Sequence, residues 1–118
     1  KMVMNQAHVF IGPLQIELIQ PAGGDDAPYR DFCAEGADAI RFHHFGHWVD
    51  DPVEFGSLPA ALEALEALGI PIVFQIAMPK DGDGAIYADT RAWLGHYLEY
   101  VHMAPDVKKA YYADVPRC

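Results

Sequence analysis

Cysteine is scarce in this chain. Among 118 residues there are two, Cys33 and Cys118, and they form no C-x-x-C pair. That argues against a zinc knuckle or a thiol redox motif, and it favours a reducing, cytoplasmic setting over a disulfide-stapled secreted one. Basic residues are also few: 8 Lys and Arg stand against 17 Asp and Glu, giving a net charge of −9. A surface of that sign repels phosphate backbones, so no nucleic-acid partner is expected. Long apolar runs are missing. None approaches the roughly 18 residues that a membrane helix requires, so no membrane partner is expected. The opening "KMVMNQAHVF" has neither the apolar stretch nor the cleavage site of a signal peptide. What is present is 52% hydrophobic and 21% charged sequence, the composition of a folded domain rather than a disordered chain.

Periodicity and turn residues give an order of elements. "AHVFIG" (7–12) and "LQIELIQ" (14–20) are predicted strands, with Gly12-Pro13 as the turn between them. In the second strand Leu14, Ile16 and Leu18 share one face, and Gln15, Glu17 and Ile19 share the other. "PAGGDDAP" reads as loop and "YRDFCAEG" as a short helix ending at Gly36. Residues 41–49 are a strand. Its alternation puts Phe42, His44, Gly46 and Trp48 on one face and His43, Phe45, His47 and Val49 on the other, towards a helix. "DDPVEFG", with Asp50 and Asp51, is a loop. Ser57 then caps a helix that places Leu58, Ala61, Leu62, Leu65 and Leu68 on one side and stops at Gly69. "IPIVFQIAM", "AIYADT" and "WLGHYLEYVHM" are three further strands. The acidic run around Asp81 and Asp83 is a turn between the first two of these. The tail from 105 carries one or two helical turns.

From residue 41 the order is strand, helix, strand, strand, strand. The two strands before it match the last two of such a unit. The chain therefore reads as an α+β fold of one and a half βαβββ modules. Residues 1–22 are the end of an incomplete first module, 23–40 a linker, 41–104 a complete second module, and 105–118 a C-terminal tail, all within one domain.

"LQIELIQP", "FHHFGHWVDD", the Leu-rich helix ending "ALGIPI", and "YADTRAWLGHYLEYV" occur in the order found in the vicinal oxygen chelate superfamily. The chain resembles its glyoxalases, epimerases, extradiol dioxygenases and bleomycin-resistance proteins over residues 10–104. The resemblance implies paired modules that form a curved mixed sheet around a metal or ligand cleft. By position it makes Glu17, His44 and Glu99 metal ligands, with a further ligand expected from a first strand that these residues do not include. It also implies a small-molecule substrate and a homodimer.

The residues support this placement in their own right. Glu17 lies between Ile16 and Leu18, and Glu99 between Leu98 and Tyr100. Burying an unpaired carboxylate is costly, and one bound cation would neutralise both. His with two Glu suits Zn²⁺, Fe²⁺, Mn²⁺, Co²⁺ or Ni²⁺ and does not choose among them. The resemblance to the glyoxalase and epimerase branches further implies that the metal acts as a Lewis acid on a chelated carbonyl or carboxylate substrate, with Glu99 or Glu17 as the general base. Trp48 and Tyr97 share faces with His44 and Glu99 and are expected to contact substrate, as is Gln75, a polar residue in an apolar strand. His43 and His47 are expected to pack under the helix or to be hydrogen-bonded, His96 to face away from Glu99, and His102 to lie at the surface; His8 is considered as a substitute for the missing ligand and not expected to be one. The chemistry implied is that of an isomerase or lyase rather than a dioxygenase. The alternative is a metal-free binding protein of the bleomycin-resistance type, whose acidic, aromatic surface would suit a cationic ligand.

Overall fold

The computed structural model describes residues 1–33, 40–49, 57–77 and 82–118. Its elements in chain order are β1 (Met2–Ile11), β2 (Leu14–Gly24), α1 (Ala27–Arg30), β3 (His44–Trp48), α2 (Leu58–Ala67), β4 (Ile72–Ala77), β5 (Gly84–Ala88), α3 (Arg91–Leu94), β6 (Tyr97–His102) and α4 (Pro105–Tyr111). They fall into two compact units, Lys1–Arg41 with Lys109–Cys118, and Phe42–Lys108. The fold is α+β, as expected, with strands, helix and strands in the βαβββ order from β3 onward.

In the first unit β1 and β2 form a two-stranded antiparallel sheet. Both strands are longer than their alternation suggested. β1 starts at Met2, and Pro21–Gly24, expected as loop, continue β2 after a register irregularity opposite Val3 and Met4. Pairing with a partner strand carried these small residues further than propensity alone would. The C-terminal end of the chain returns to the hairpin: Phe10 donates to the Pro116 carbonyl and Cys118 to the Phe10 carbonyl. α1 is a single turn and ends at Arg30, short of the expected helix. Gly36, its expected stop, lies outside the described residues, as do Asp50, Asp51 and Asp81. Asp26, just before α1, is buried. Its carboxylate accepts from the Arg30 guanidinium and from the Gly23 N–H. The Arg30 bond leads in holding its pKa below the ordinary Asp value, with the Gly23 N–H adding to it and burial opposing.

In the second unit the strand order is β3-β6-β5-β4, with β3 parallel to β6 and the other pairs antiparallel. α2 forms where the amphipathic pattern lay. The Ser57 hydroxyl accepts from the Ala60 N–H at 3.3 Å, which satisfies one of the helix's orphan donors, and Gly69 follows in the left-handed region at φ 68°. Its apolar face covers one side of the sheet: Leu65, Ile86 and Ala88 are buried together, with Leu58, Leu62, Leu98 and Tyr100 packed around them. The other side of the sheet is left for the site. The stretch expected as one strand from Trp93 to Met103 divides instead. Arg91–Leu94 is a helical turn and Gly95 (φ 78°) reverses the chain before β6. A left-handed backbone at that point excludes a continuous strand. The Thr90 hydroxyl donates to the His96 carbonyl at 2.6 Å and fixes the corner.

Candidate metal and substrate site

Register decides which side chains meet. β3 pairs with β6 so that His44 stands opposite Tyr97, Gly46 opposite Glu99 and Trp48 opposite Val101. Neighbouring strand residues in register share a face. β5 adds Tyr87 opposite Glu99, and β4 adds Phe74 opposite Tyr87, stacked on it with ring centroids 4.2 Å apart. His44, Tyr97, Glu99, Tyr87 and Phe74 therefore lie on the side turned from α2.

His44 Nε2 is 3.4 Å from Glu99 Oε2, and both side chains are largely buried, at 10% and 14% exposure. That separation exceeds an ordinary hydrogen bond. It is the spacing that two ligands keep when each sits about 2.1 Å from one tetrahedral ion, about 3.4 Å. This nitrogen and carboxylate pair thus fits a divalent cation. Gly46 leaves room for this carboxylate: a Cβ there would lie 3.2 Å from Glu99 Oε2, so the carboxylate would have to shift by a few tenths of an ångström.

Glu17 belongs to the first unit. On β2 it stands opposite His8 of β1, with His8 Nε2 at 3.7 Å from its Oε1 and side-chain exposures of 13% and 18%. Gln6 donates to the same oxygen at 2.8 Å, and the Gln15 amide meets His8 Nδ1 at 3.0 Å. Tyr111 and Tyr112 set their edges against the His8 ring. Glu17, His44 and Glu99 are each half-buried and each offers one ligand atom.

The remaining expected site residues are distributed as follows. Tyr97 is buried, with the Arg91 guanidinium 4.8 Å from its ring centroid. Trp48 is half-buried and carries the Lys108 ammonium 3.4 Å from its ring centroid, a cation–π contact. Gln75 is opposite Ile86, exposed, and on the α2 side of the sheet. It is not brought to the His44–Glu99 face, where Phe74 and Ile76 stand instead, because a register irregularity between Ile72 and Phe74 resets the alternation. His47 stacks on Tyr100, on the α2 side. His96 meets Phe42 edge-on. His102 lies 3.2 Å from the Val49 carbonyl and 3.8 Å from Asp83.

His43 departs from the expectation. It precedes β3, so strand alternation does not govern it. Its ring lies 4.9 Å from Tyr97 and 5.2 Å from His44, away from the face assigned by parity. Among the described residues around the candidate ligands, Tyr87 was not singled out by the sequence, and His8 and His43 were not expected to take part in the site. Only His8 had a signal: it is in phase with Glu17 across the Gly12-Pro13 turn.

The family model described as the Glyoxalase/Bleomycin resistance protein/Dioxygenase superfamily matches residues 2–87. The chain belongs to this superfamily. No curated protein and no solved structure gives a match. The superfamily match spans both candidate-bearing strands β2 and β3 and stops at Tyr87, before Glu99. Among the described residues, no helix of this glyoxalase-superfamily chain is long and apolar enough to cross a membrane.

Proposed function

We propose that this chain is a glyoxalase- or epimerase-like metalloenzyme that removes and returns a proton on a small carbonyl or carboxylate substrate, in an isomerisation or lyase reaction. The observation that carries the reading is the half-buried His44–Glu99 pair, with nitrogen and oxygen 3.4 Å apart on one sheet face. Glu17 is the third ligand in this proposal. Its support is positional: it occupies in the β1–β2 hairpin the place that Glu99 occupies in β5–β6, mid-strand and opposite a ring. A bound divalent cation would supply Lewis-acid polarisation of the substrate's oxygens.

The chain's own residues do the rest. A carboxylate, Glu99 or Glu17, takes the proton from the carbon next to the carbonyl and returns it to the same or the adjacent carbon. The electron pair stays on the substrate meanwhile. The buried rings of Tyr87 and Tyr97 exclude water beside Glu99, which strengthens every charge interaction there. The ammonium of Lys108 on Trp48 offers a counter-charge for a carboxylate-bearing substrate. In the same reading residues 1–22 close a first module, and the chain works as a homodimer. The exposed row Leu14, Ile16 and Leu18 supports an association of that kind.

The test is metal binding followed by proton exchange. Purified protein should retain one divalent ion per site, with Zn²⁺, Co²⁺ and Ni²⁺ among the ions tried. Glu99→Gln and His44→Ala should each lower the affinity by more than the 10- to 100-fold typical of a residue that only supports a ligand. The loaded protein should catalyse solvent-deuterium exchange into small α-hydroxycarbonyl compounds, followed by NMR. No metal uptake, together with small-molecule binding that Glu99→Gln leaves unchanged, would instead identify a ligand-sequestering protein.

A further inference from the structure

His43 makes one contact that gives it a role in the proposed site. Its Nδ1 lies 2.9 Å from His44 Nδ1. Its own carbonyl accepts the Tyr97 N–H at 2.9 Å, and its ring packs on Tyr97 and near Tyr87, so the imidazole is held by the same strand that carries Glu99. Two ring nitrogens at this distance share a single proton: one donates and the other accepts. The direction of that bond decides which nitrogen of His44 has a free lone pair.

We propose that His43 is a positioning residue whose Nδ1 accepts a hydrogen bond from His44 Nδ1–H, so that the lone pair of His44 Nε2 is left free for the cation that it and Glu99 would hold. The inference rests on the metalloenzyme reading for its purpose, and on the Nδ1–Nδ1 contact for its geometry. A ligating histidine commonly donates its other N–H to a partner that fixes ring orientation and tautomer. That partner is usually a carboxylate or a backbone carbonyl, and here it is the preceding side chain. A free neutral imidazole favours the proton on Nε2. Without an acceptor at Nδ1, His44 would therefore hold a proton on the nitrogen that faces Glu99. His43 removes that competition through the proton it keeps on its own Nε2.

Long-range ¹H–¹⁵N spectra of the metal-free chain test this directly, at about pH 8.5, some two units above the ordinary histidine pKa of about 6.5. His44 should carry its proton on Nδ1 in the wild type. His43→Phe keeps a ring against Tyr97 but has no acceptor, and the proton should move to Nε2. His43→Asn returns an oxygen near the Nδ1 position, and the Nδ1–H form should return with it. Zn²⁺ affinity by chelator competition should fall 10- to 100-fold in His43→Phe and recover most of that loss in His43→Asn. An amide fingerprint of β3 and β6 that matches wild type shows that both variants are folded. The proposal is overturned if wild-type His44 is protonated on Nε2, or if His43→Phe leaves the tautomer unchanged. If the tautomer responds as described and the wild type takes up no metal, the metalloenzyme reading fails while the hydrogen-bond assignment stands.

Discussion

In the β5–β6 hairpin Glu99 stands opposite Tyr87, and in the β1–β2 hairpin Glu17 stands opposite His8. Both hairpins are antiparallel, both put a carboxylate mid-way along the second strand, and both alternate apolar residues on the reverse face. They differ in what that reverse face meets. Ile86 and Ala88 are 3% and 0% exposed beneath α2, whereas Leu14, Ile16 and Leu18 are 53%, 37% and 53% exposed. β5–β6 is also flanked by β3 and β4. One alternating pattern thus produces a buried sheet in one unit and an open one in the other. Apolar alternation specifies a face that needs cover. It does not supply the cover.

The contrast can be broken most directly by truncating each face. Leu65→Ala, beneath which Ile86 and Ala88 pack, should cost about 2–5 kcal/mol, because it removes buried methyl groups and leaves a cavity. Leu18→Ala on the open hairpin should cost no more than about 0.5 kcal/mol at protein concentrations low enough to keep the chain monomeric. Urea denaturation of both variants gives the comparison, and equal losses would show that the open face is covered in solution. A concentration-dependent loss for Leu18→Ala alone would point to cover by a second copy. Light scattering on the wild type checks the same point.

Next in size comes the cap of the helix that makes the difference. Ser57→Ala should cost about 1 kcal/mol, since the Ala60 N–H loses its acceptor. Ser57→Gly should cost only a few tenths. Thermal or urea melts distinguish the two variants.

The smallest effects are expected from two Asp–Arg clamps, one in each unit. The Arg30 guanidinium holds Asp26 below the usual carboxylate range. Arg91 does the same for Asp89, through a paired contact at 2.8 and 2.7 Å. A carboxyl whose folded pKa is depressed stabilises the fold above its unfolded pKa, about 3.9, and loses that contribution as pH falls through the folded value. Asp26→Asn and Asp89→Asn should therefore destabilise slightly at pH 7. Each should also flatten the decline in stability below about pH 4, as read from urea midpoints across the acid range. A variant with an unchanged acid limb would remove its clamp from the account.

Much of this was legible in the residues. Ser57, the Leu58–Leu65 spacing and Gly69 defined α2, because caps and 3.6-residue periodicity are local signals. Parity in "FHHFGHWVDD" put His44 with Trp48 and His47 towards the helix, because strand alternation is local too. It misplaced His43, which lies before the strand begins. Gln75 was read only as a polar residue in an apolar strand, and the irregularity between Ile72 and Phe74 sets it on the α2 side. The ends of β1 and β2 were missed for the opposite reason: Pro21–Gly24 have little strand preference of their own and are held by a partner strand.

The sequence by itself determined α2 and the middles of the strands, the acidic character, and the presence of a mid-strand carboxylate in each hairpin, since these depend on residue identity and short spacings. Only the tertiary structure decided that β3 runs parallel to β6. That pairing brings His44 within 3.4 Å of Glu99 across 55 residues of chain. It sets Gly46 beneath the carboxylate and turns His43 onto His44. Such contacts depend on register between distant strands, which side-chain alternation restricts to a face but does not align.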